Sequence, residues 1–248
     1  MMEFIVFIFG LAMGSFLNVL IDRLPRGQNV ISSRSRCDHC KKTLRWFELI
    51  PLLSFILQRR RCRRCHKILS WQYPVVELVT AVGFVVIAIQ SQAFEFPQSL
   101  ALIGQWLIFS SLLVIVVADL KYQIIPDSMV VAGVVGVIGS IGVIGENVLA
   151  ALSASAFFFV LWLITRGRGM GLGDVKFAFL MGLMVGFPHV VLASYLAFLT
   201  GAGAGVILIL LGRRKLKGRI AFGPFLVLGT VIAHLWGAPL IAWWYALV

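Results

Sequence analysis

Asp174 lies in the stretch GMGLGDVKFAFLMGLMVGF, Gly169 to Phe187, at the lip of a nearly unbroken apolar run. An ionised side chain is costly in an apolar phase, so one found there has a partner or a task. Glu77, Asp119 and Asp127 fall at comparable places, at or near the ends of other apolar runs. Asp127 follows Pro126 and opens a run, where capping and the helix dipole favour an acid without any chemistry. Asp119 is different. It closes a run in VIVVADLKYQIIPD, facing the negative end of a helix dipole, and stability does not ask for it there. Asp174 can be read as a helix cap, but Gly169, Gly171 and Gly173 precede it in alternation, and such a loop lets a backbone come close to another chain. Two carboxylates at one site can divide the roles of acid and base around one water. That chemistry hydrolyses a peptide without metal or covalent intermediate. The helix positions favour Asp174 as the ionised base and Asp119 as the holder of the proton, while Lys121 and Lys176 oppose a retained proton if they are near.

A second constellation is thiol-based. Cys37-Asp38-His39-Cys40 and Cys62-Arg63-Arg64-Cys65 are two CxxC pairs separated by 21 residues. The pattern resembles a zinc ribbon with a slightly long gap. Four thiolates suit tetrahedral Zn²⁺, and the surrounding cations are expected to lower the thiol pKa values. Free thiols or a redox pair are the alternative. A segment of this size has little core of its own, so a metal would supply folding energy.

The elements that must position these residues are apolar helices. Of 248 residues, 60% are hydrophobic and 13% charged, against about 25% charged in soluble domains, and mean hydropathy is +0.97. Eight apolar segments can be drawn, several of them near the ~20 residues that span a bilayer: roughly 4–21, 74–91, 99–118, 128–145, 147–165, 175–187, 189–211 and 224–246, the sixth being short and ending at Phe187-Pro188. The fold class is therefore an all-α polytopic membrane protein of about eight transmembrane helices with a small zinc-binding loop subdomain. The runs are continuous, which excludes the alternating pattern of a β-barrel. The organisation is a first helix (1–21), a four-Cys loop (22–73) and a bundle (74–248). The first segment lacks a basic n-region and reads as a retained helix.

Charge placement agrees with eight spans. Of the 22 Lys and Arg, thirteen lie between Arg23 and Lys67, one is Lys121, three are Arg166, Arg168 and Lys176, and five lie between Arg213 and Arg219. All four basic loops are odd-numbered and fall on one side. The positive-inside rule makes that side the cytoplasm and puts both termini outside. The net charge of +12 is thus explained by topology, and no nucleic-acid partner is expected. The lipid bilayer is the expected surrounding, and anionic headgroups suit the cluster Arg59-Arg60-Arg61, Arg63, Arg64, Lys67.

Asp119, six intervening residues to Pro126, and Gly171-Leu172-Gly173-Asp174 together resemble the two-aspartate signature of type IV prepilin peptidases. GSFLNVLIDRLP (14–25), the CxxC pairs, IPLLSF (50–55), YPVVELVT (73–80) and FGPFLVLG (222–229) resemble that family in the same order. GxGD alone is shared with other intramembrane aspartyl proteases, including presenilin-like ones. The resemblance implies a bifunctional enzyme of the bacterial inner membrane. It would cut the basic leader from prepilins or pseudopilins at the cytoplasmic face, then methylate the new amino-terminus with S-adenosylmethionine. By this resemblance Asp119 and Asp174 are catalytic, Gly171, Gly173, Lys176 and Pro126 support them, and Cys37, Cys40, Cys62 and Cys65 hold zinc. The family commonly carries glycine where this chain has Arg60, in Arg60-Arg61-Cys62, beside the region assigned to methyl transfer. No GxGxxG follows a strand, so a methyl-donor site is expected elsewhere, near Asn18, Arg23 and Glu77. The rival readings are a peptidase alone, with the Cys loop as a docking scaffold, a proton-coupled transporter using the carboxylates as a relay, and a non-catalytic metal-binding membrane scaffold in which both aspartates tolerate substitution. Oligomeric state is not legible.

Overall fold

Each of the eight apolar segments becomes a helix in the computed structural model of the chain, which describes residues 1–30, 34–37, 39–91, 98–140, 142, 145–212 and 221–247. In chain order the helices are α1 (Met2–Arg23), a short α2 (Leu53–Leu57), α3 (Gln72–Ser91), α4 (Gln98–Tyr122), α5 (Asp127–Ser140), α6 (Gly145–Thr165), α7 (Leu172–Val185), α8 (His189–Leu210) and α9 (Gly223–Leu247). Six of them, α1, α3, α4, α6, α8 and α9, are long and apolar enough to cross a membrane. The segment expected at 128–145 gives a helix of only 14 residues, and the short one expected at 175–187 gives a helix of 14, each about 21 Å at 1.5 Å per residue, against a hydrocarbon core of about 30 Å. Asp38, Glu95 and the five cations from Arg213 to Arg219 lie outside the described residues.

The chain divides into two units, Met1–Val114 and Ile115–Val248, and the boundary runs through α4. In the first unit α1 lies along α3. A Cβ on Gly10 would stand 2.6 Å from the Ala81 Cα, and one on Gly14 would stand 2.6 Å from the Glu77 Cα. These two glycines therefore set the close approach of the pair. Val6, Phe84, Ala88 and Leu102 form a buried cluster. Trp106 stacks on Phe84 at 4.8 Å and donates its indole N–H to the Phe84 carbonyl at 3.1 Å.

The second unit is built around α7, which packs against α5, α6, α8 and α9. Asp174, Val175, Phe177, Ala178, Leu180, Met181, Gly182, Leu183 and Met184 are all buried. A helix apolar on every side is an interior helix, which is consistent with its short length.

Candidate active site and metal centre

The two CxxC pairs fold into matching knuckles. Cys37 N–H donates to the Lys42 carbonyl at 3.0 Å and Lys41 N–H to the Cys37 carbonyl at 2.9 Å; Cys62 to Lys67 and His66 to Cys62 repeat this at 2.9 Å each. Lys41 (φ 57°) and His66 (φ 54°) take the left-handed conformation at equivalent places. The two turns bring one Sγ from each of Cys37, Cys40, Cys62 and Cys65 within 4.8 Å of the others, with Cys37 and Cys65 3.8 Å apart. A tetrahedron of thiolates at about 2.3 Å from zinc places sulfurs about 3.8 Å apart, so the four could bind a metal ion. The expected general lowering of thiol pKa values by nearby cations is not what the environment gives. Burial pushes the Cys37 thiol up to about 12, whereas Cys62 is lowered to about 7 by the backbone N–H groups of Cys65 and Arg64.

Asn18, Arg23 and Glu77, the expected methyl-donor set, all line one cavity of about 910 Å³ in the first unit, together with Asp22, Tyr73 and Arg26. This is within the ~300–1,000 Å³ of typical small-molecule sites. Glu77 accepts Leu52 N–H at 2.8 Å. Asn18 donates to the Gly14 and Tyr73 carbonyls at 3.2 and 3.1 Å. Arg23 donates to the carbonyls of Asn29, Val30 and Arg34 at 3.2–3.3 Å, so its guanidinium clamps the chain that leaves α1. Arg60 also lines the cavity. Its φ is +62°, the left-handed region that glycine takes without strain. The arginine is held by the Leu69 carbonyl (3.2 Å) and the Trp71 ring (5.1 Å).

In the second unit Asp119 and Asp174 are both buried, 5% and 7% exposed. Asp174 stands in the first turn of α7, where its Oδ2 accepts Gly171 N–H at 2.8 Å. Asp119 stands one turn before the end of α4, and its Oδ2 accepts Gly223 N–H, the first residue of α9, at 2.8 Å. Both acids thus meet the positive end of a helix, one its own and one a neighbour's. The carboxyl-terminal position of Asp119 in α4, which alone suggested that it keeps the proton, is offset by this donor. Gly173 allows a close approach, since a Cβ there would stand 3.0 Å from the Ile125 side chain; Gly171 has ordinary room. Pro126 is buried beside Ile125 and its carbonyl receives Met129 N–H at the start of α5. Lys176 does not turn to the pair. It forms a 2.7 Å ion pair with Asp127, both exposed. Gly223 was not singled out from sequence; its signal is a glycine directly before Pro224 at the start of the last apolar run.

The fold and its interior define the class: a multi-helix protein with, among the described residues, six helices long and apolar enough to cross a membrane, four clustered thiols and two buried carboxylates. Residues 8–91 match the model of the bacterial peptidase A24 N-terminal domain and residues 106–206 that of the type IV leader peptidase family. The chain is 32% identical to a prepilin leader peptidase/N-methyltransferase of Bacillus subtilis, over 97% of this chain and 96% of that one. Proteins of the same name from Aeromonas hydrophila (32%, covering 97% and 92%) and Legionella pneumophila (30%, covering 98% and 94%) are similarly related. The chain belongs to the type IV leader peptidase family. No solved structure matches it.

Proposed function

We propose that this chain is a bifunctional membrane enzyme that removes the basic leader of type IV prepilins or pseudopilins and N-methylates the residue so exposed. The observation that carries the reading is two buried carboxylates, Asp119 and Asp174, each accepting a main-chain N–H at the start of a helix, in a chain whose near full-length relatives bear the name prepilin leader peptidase/N-methyltransferase. In hydrolysis the two carboxylates grip one water. The ionised one takes its proton as the oxygen attacks the scissile carbonyl, and the protonated one gives its proton to the departing amine. Main-chain donors at Gly171 and Gly223 hold the carboxylate oxygens in place. The substrate presents an extended segment, because a helix would hide its carbonyl, and the 169–173 stretch is a suitable neighbour for it. Lys176 and Pro126 act by fixing the α5–α7 surroundings.

Cys37, Cys40, Cys62 and Cys65 hold Zn²⁺ as a structural ion that ties the two knuckles together. S-adenosylmethionine, when bound, supplies the methyl group. Its residues are those of the cavity: the carboxylate of Glu77 suits cationic groups, both the sulfonium and a pilin ammonium, and Asn18 and Arg23 shape the wall. The protein lies in the bacterial inner membrane with eight helices in the bilayer, including the short α5 and α7, both sites toward the cytoplasm and both termini outside.

The test is incubation of purified protein with a prepilin, with and without S-adenosylmethionine. Mass spectrometry is expected to read leader loss in both reactions and one added methyl only in the second. Intact prepilin in both would refute the peptidase, and cleavage without methyl addition would refute the second activity.

A further inference from the structure

Helix α2 is amphipathic in the reverse sense for a segment in water. Its outward stripe is Leu53, Ile56 and Leu57, which are 50%, 68% and 73% exposed at positions i, i+3 and i+4. The other side carries Ser54, Phe55 and Gln58, which are half-buried and line the cavity. Leu49 and Ile50 extend the exposed apolar surface on the amino-terminal side. A water-facing helix would place these sets the other way round, because contiguous exposed apolar surface marks a contact with something apolar.

Its depth is fixed by one bond. Leu52, which precedes α2, donates its N–H to Glu77 at 2.8 Å. Glu77 belongs to the second turn of α3 and lies against Gly14 of α1. A main-chain N–H reaches that carboxylate only if the chain descends beside the first turns of α3. Both α1 and α3 are apolar enough to cross a membrane, so the descent brings α2 to the edge of the same apolar layer. After α2 and Gln58 come Arg59, Arg60 and Arg61, then Arg63 and Arg64, all exposed, and no acidic residue occurs between Leu49 and Arg64. An apolar stripe bordered by cations is the pattern of a segment lying in the interface of an anionic bilayer.

We propose that residues 49–57 lie in the lipid interface on the side where α1 ends and α3 begins. Leu53, Ile56 and Leu57 stand among acyl chains, and Arg59, Arg61 and Arg64 meet the phosphates of anionic phospholipids. The occupant of this surface is lipid, and α2 is the wall that separates the 910 Å³ cavity from it. The anchoring holds whatever reaction the cavity serves.

The experiment uses the full chain in lipid nanodiscs containing phosphatidylglycerol, with p-benzoylphenylalanine in place of Ile56 or Leu57. Phe157 on α6 is the lipid-facing reference and Lys42 the solvent-facing one. After irradiation, positions 56 and 57 are expected to carry phospholipid adducts within about threefold of position 157 and about tenfold above position 42. Adducts at the level of position 42, or cross-links chiefly to a second copy or to an added prepilin, would overturn the proposal. A measurement on the unmodified chain guards against a variant that does not fold. Amide exchange across residues 49–64 is expected to slow by about threefold or more when phosphatidylglycerol replaces phosphatidylcholine, and equal rates would count against the role of the arginines.

Discussion

Asp119 shows how a residue's environment is divided between what its own helix supplies and what the fold supplies. Its helix ends three residues later, at Tyr122, which disfavours a charge. The amide of Gly223 then arrives from 104 residues away at 2.8 Å and favours it. Asp119→Asn and Asp174→Asn are each expected to lower the cleavage rate by about a thousandfold or more while methylation of an already cleaved pilin persists, both measured on purified protein. Asp127→Asn, which loses only an exposed ion pair with Lys176, is expected to cost less than about tenfold. Equal loss in all three would remove the pair from its role. Gly223→Ala puts a Cβ 2.7 Å from Asp119 Oδ2 and 3.1 Å from its Cγ, so the carboxylate has to move. The expected result is kcat lower by about ten- to a hundredfold with KM within about threefold; an unchanged kcat would show that Gly223 only fills space. The aspartates were legible in the sequence because a carboxylate is conspicuous in an apolar run. Gly223 was not, because its requirement comes from a contact that only the folded chain creates. Lys176 was legible as a companion of GxGD, but its partner Asp127 belongs to another helix, and spacing does not report that.

Elements were legible in proportion to how far their own sequence dictates them. Long apolar runs gave the positions of the eight principal helices, because a run without charges has few alternatives to a helix in lipid. The end of α5 at Ser140 falls short of the apolar run, and hydropathy does not contain where a helix stops. The matched knuckles and the inverted α2 depend on main-chain hydrogen bonding within a loop that composition treats as uniform. For α7, interior burial makes a testable statement. A Cβ on Gly182 would stand 2.5 Å from the Ala151 Cα and 2.6 Å from the Ala150 carbonyl oxygen, both main-chain atoms that cannot rotate away. Gly182→Ala is expected to destabilise the protein by about 1–3 kcal/mol, read as a lowered Tm in detergent, and a Tm equal to wild type would mean that α6 and α7 separate freely. For the knuckles, metal removal is the natural probe. Cys37 keeps its proton near neutrality, with burial holding it at about 12, while Cys62, at about 7, is readily ionised. Zinc must displace protons to bind, so its retention is expected to fall as pH drops from about 8 to about 6. Elemental analysis after dialysis against a chelator at each pH checks this, and retention independent of pH would argue against thiolate ligation.

At the scale of the whole molecule, each candidate site belongs to a single unit. The thiols, the cavity and Glu77 fall within Met1–Val114, and both aspartates fall within Ile115–Val248. The matched family models fall along similar lines, at 8–91 and 106–206. The parity of the basic loops, which argued for eight spans and one common face, is a whole-chain property that was read from charge alone. Its last member, Arg213 to Arg219, lies outside the described residues, so the parity argument stands on the sequence. Two sites in two units, if they work independently, can be silenced one at a time. Glu77→Gln is the sharper of the two substitutions because it keeps an oxygen to accept Leu52 N–H and keeps the side-chain volume beside Gly14, while removing the charge. The expected outcome is methyl transfer lowered by about tenfold or more on an already cleaved pilin, with leader cleavage within about threefold of wild type. Asp174→Asn should give the reciprocal pattern, because its lost charge lies in the other unit and its main-chain donor Gly171 remains. Both substrates are assayed separately by mass spectrometry, so neither reaction waits on the other. If Glu77→Gln lowers cleavage as much as methylation while the Tm is unchanged, the two reactions share more than a chain, and the assignment of one activity to each unit fails.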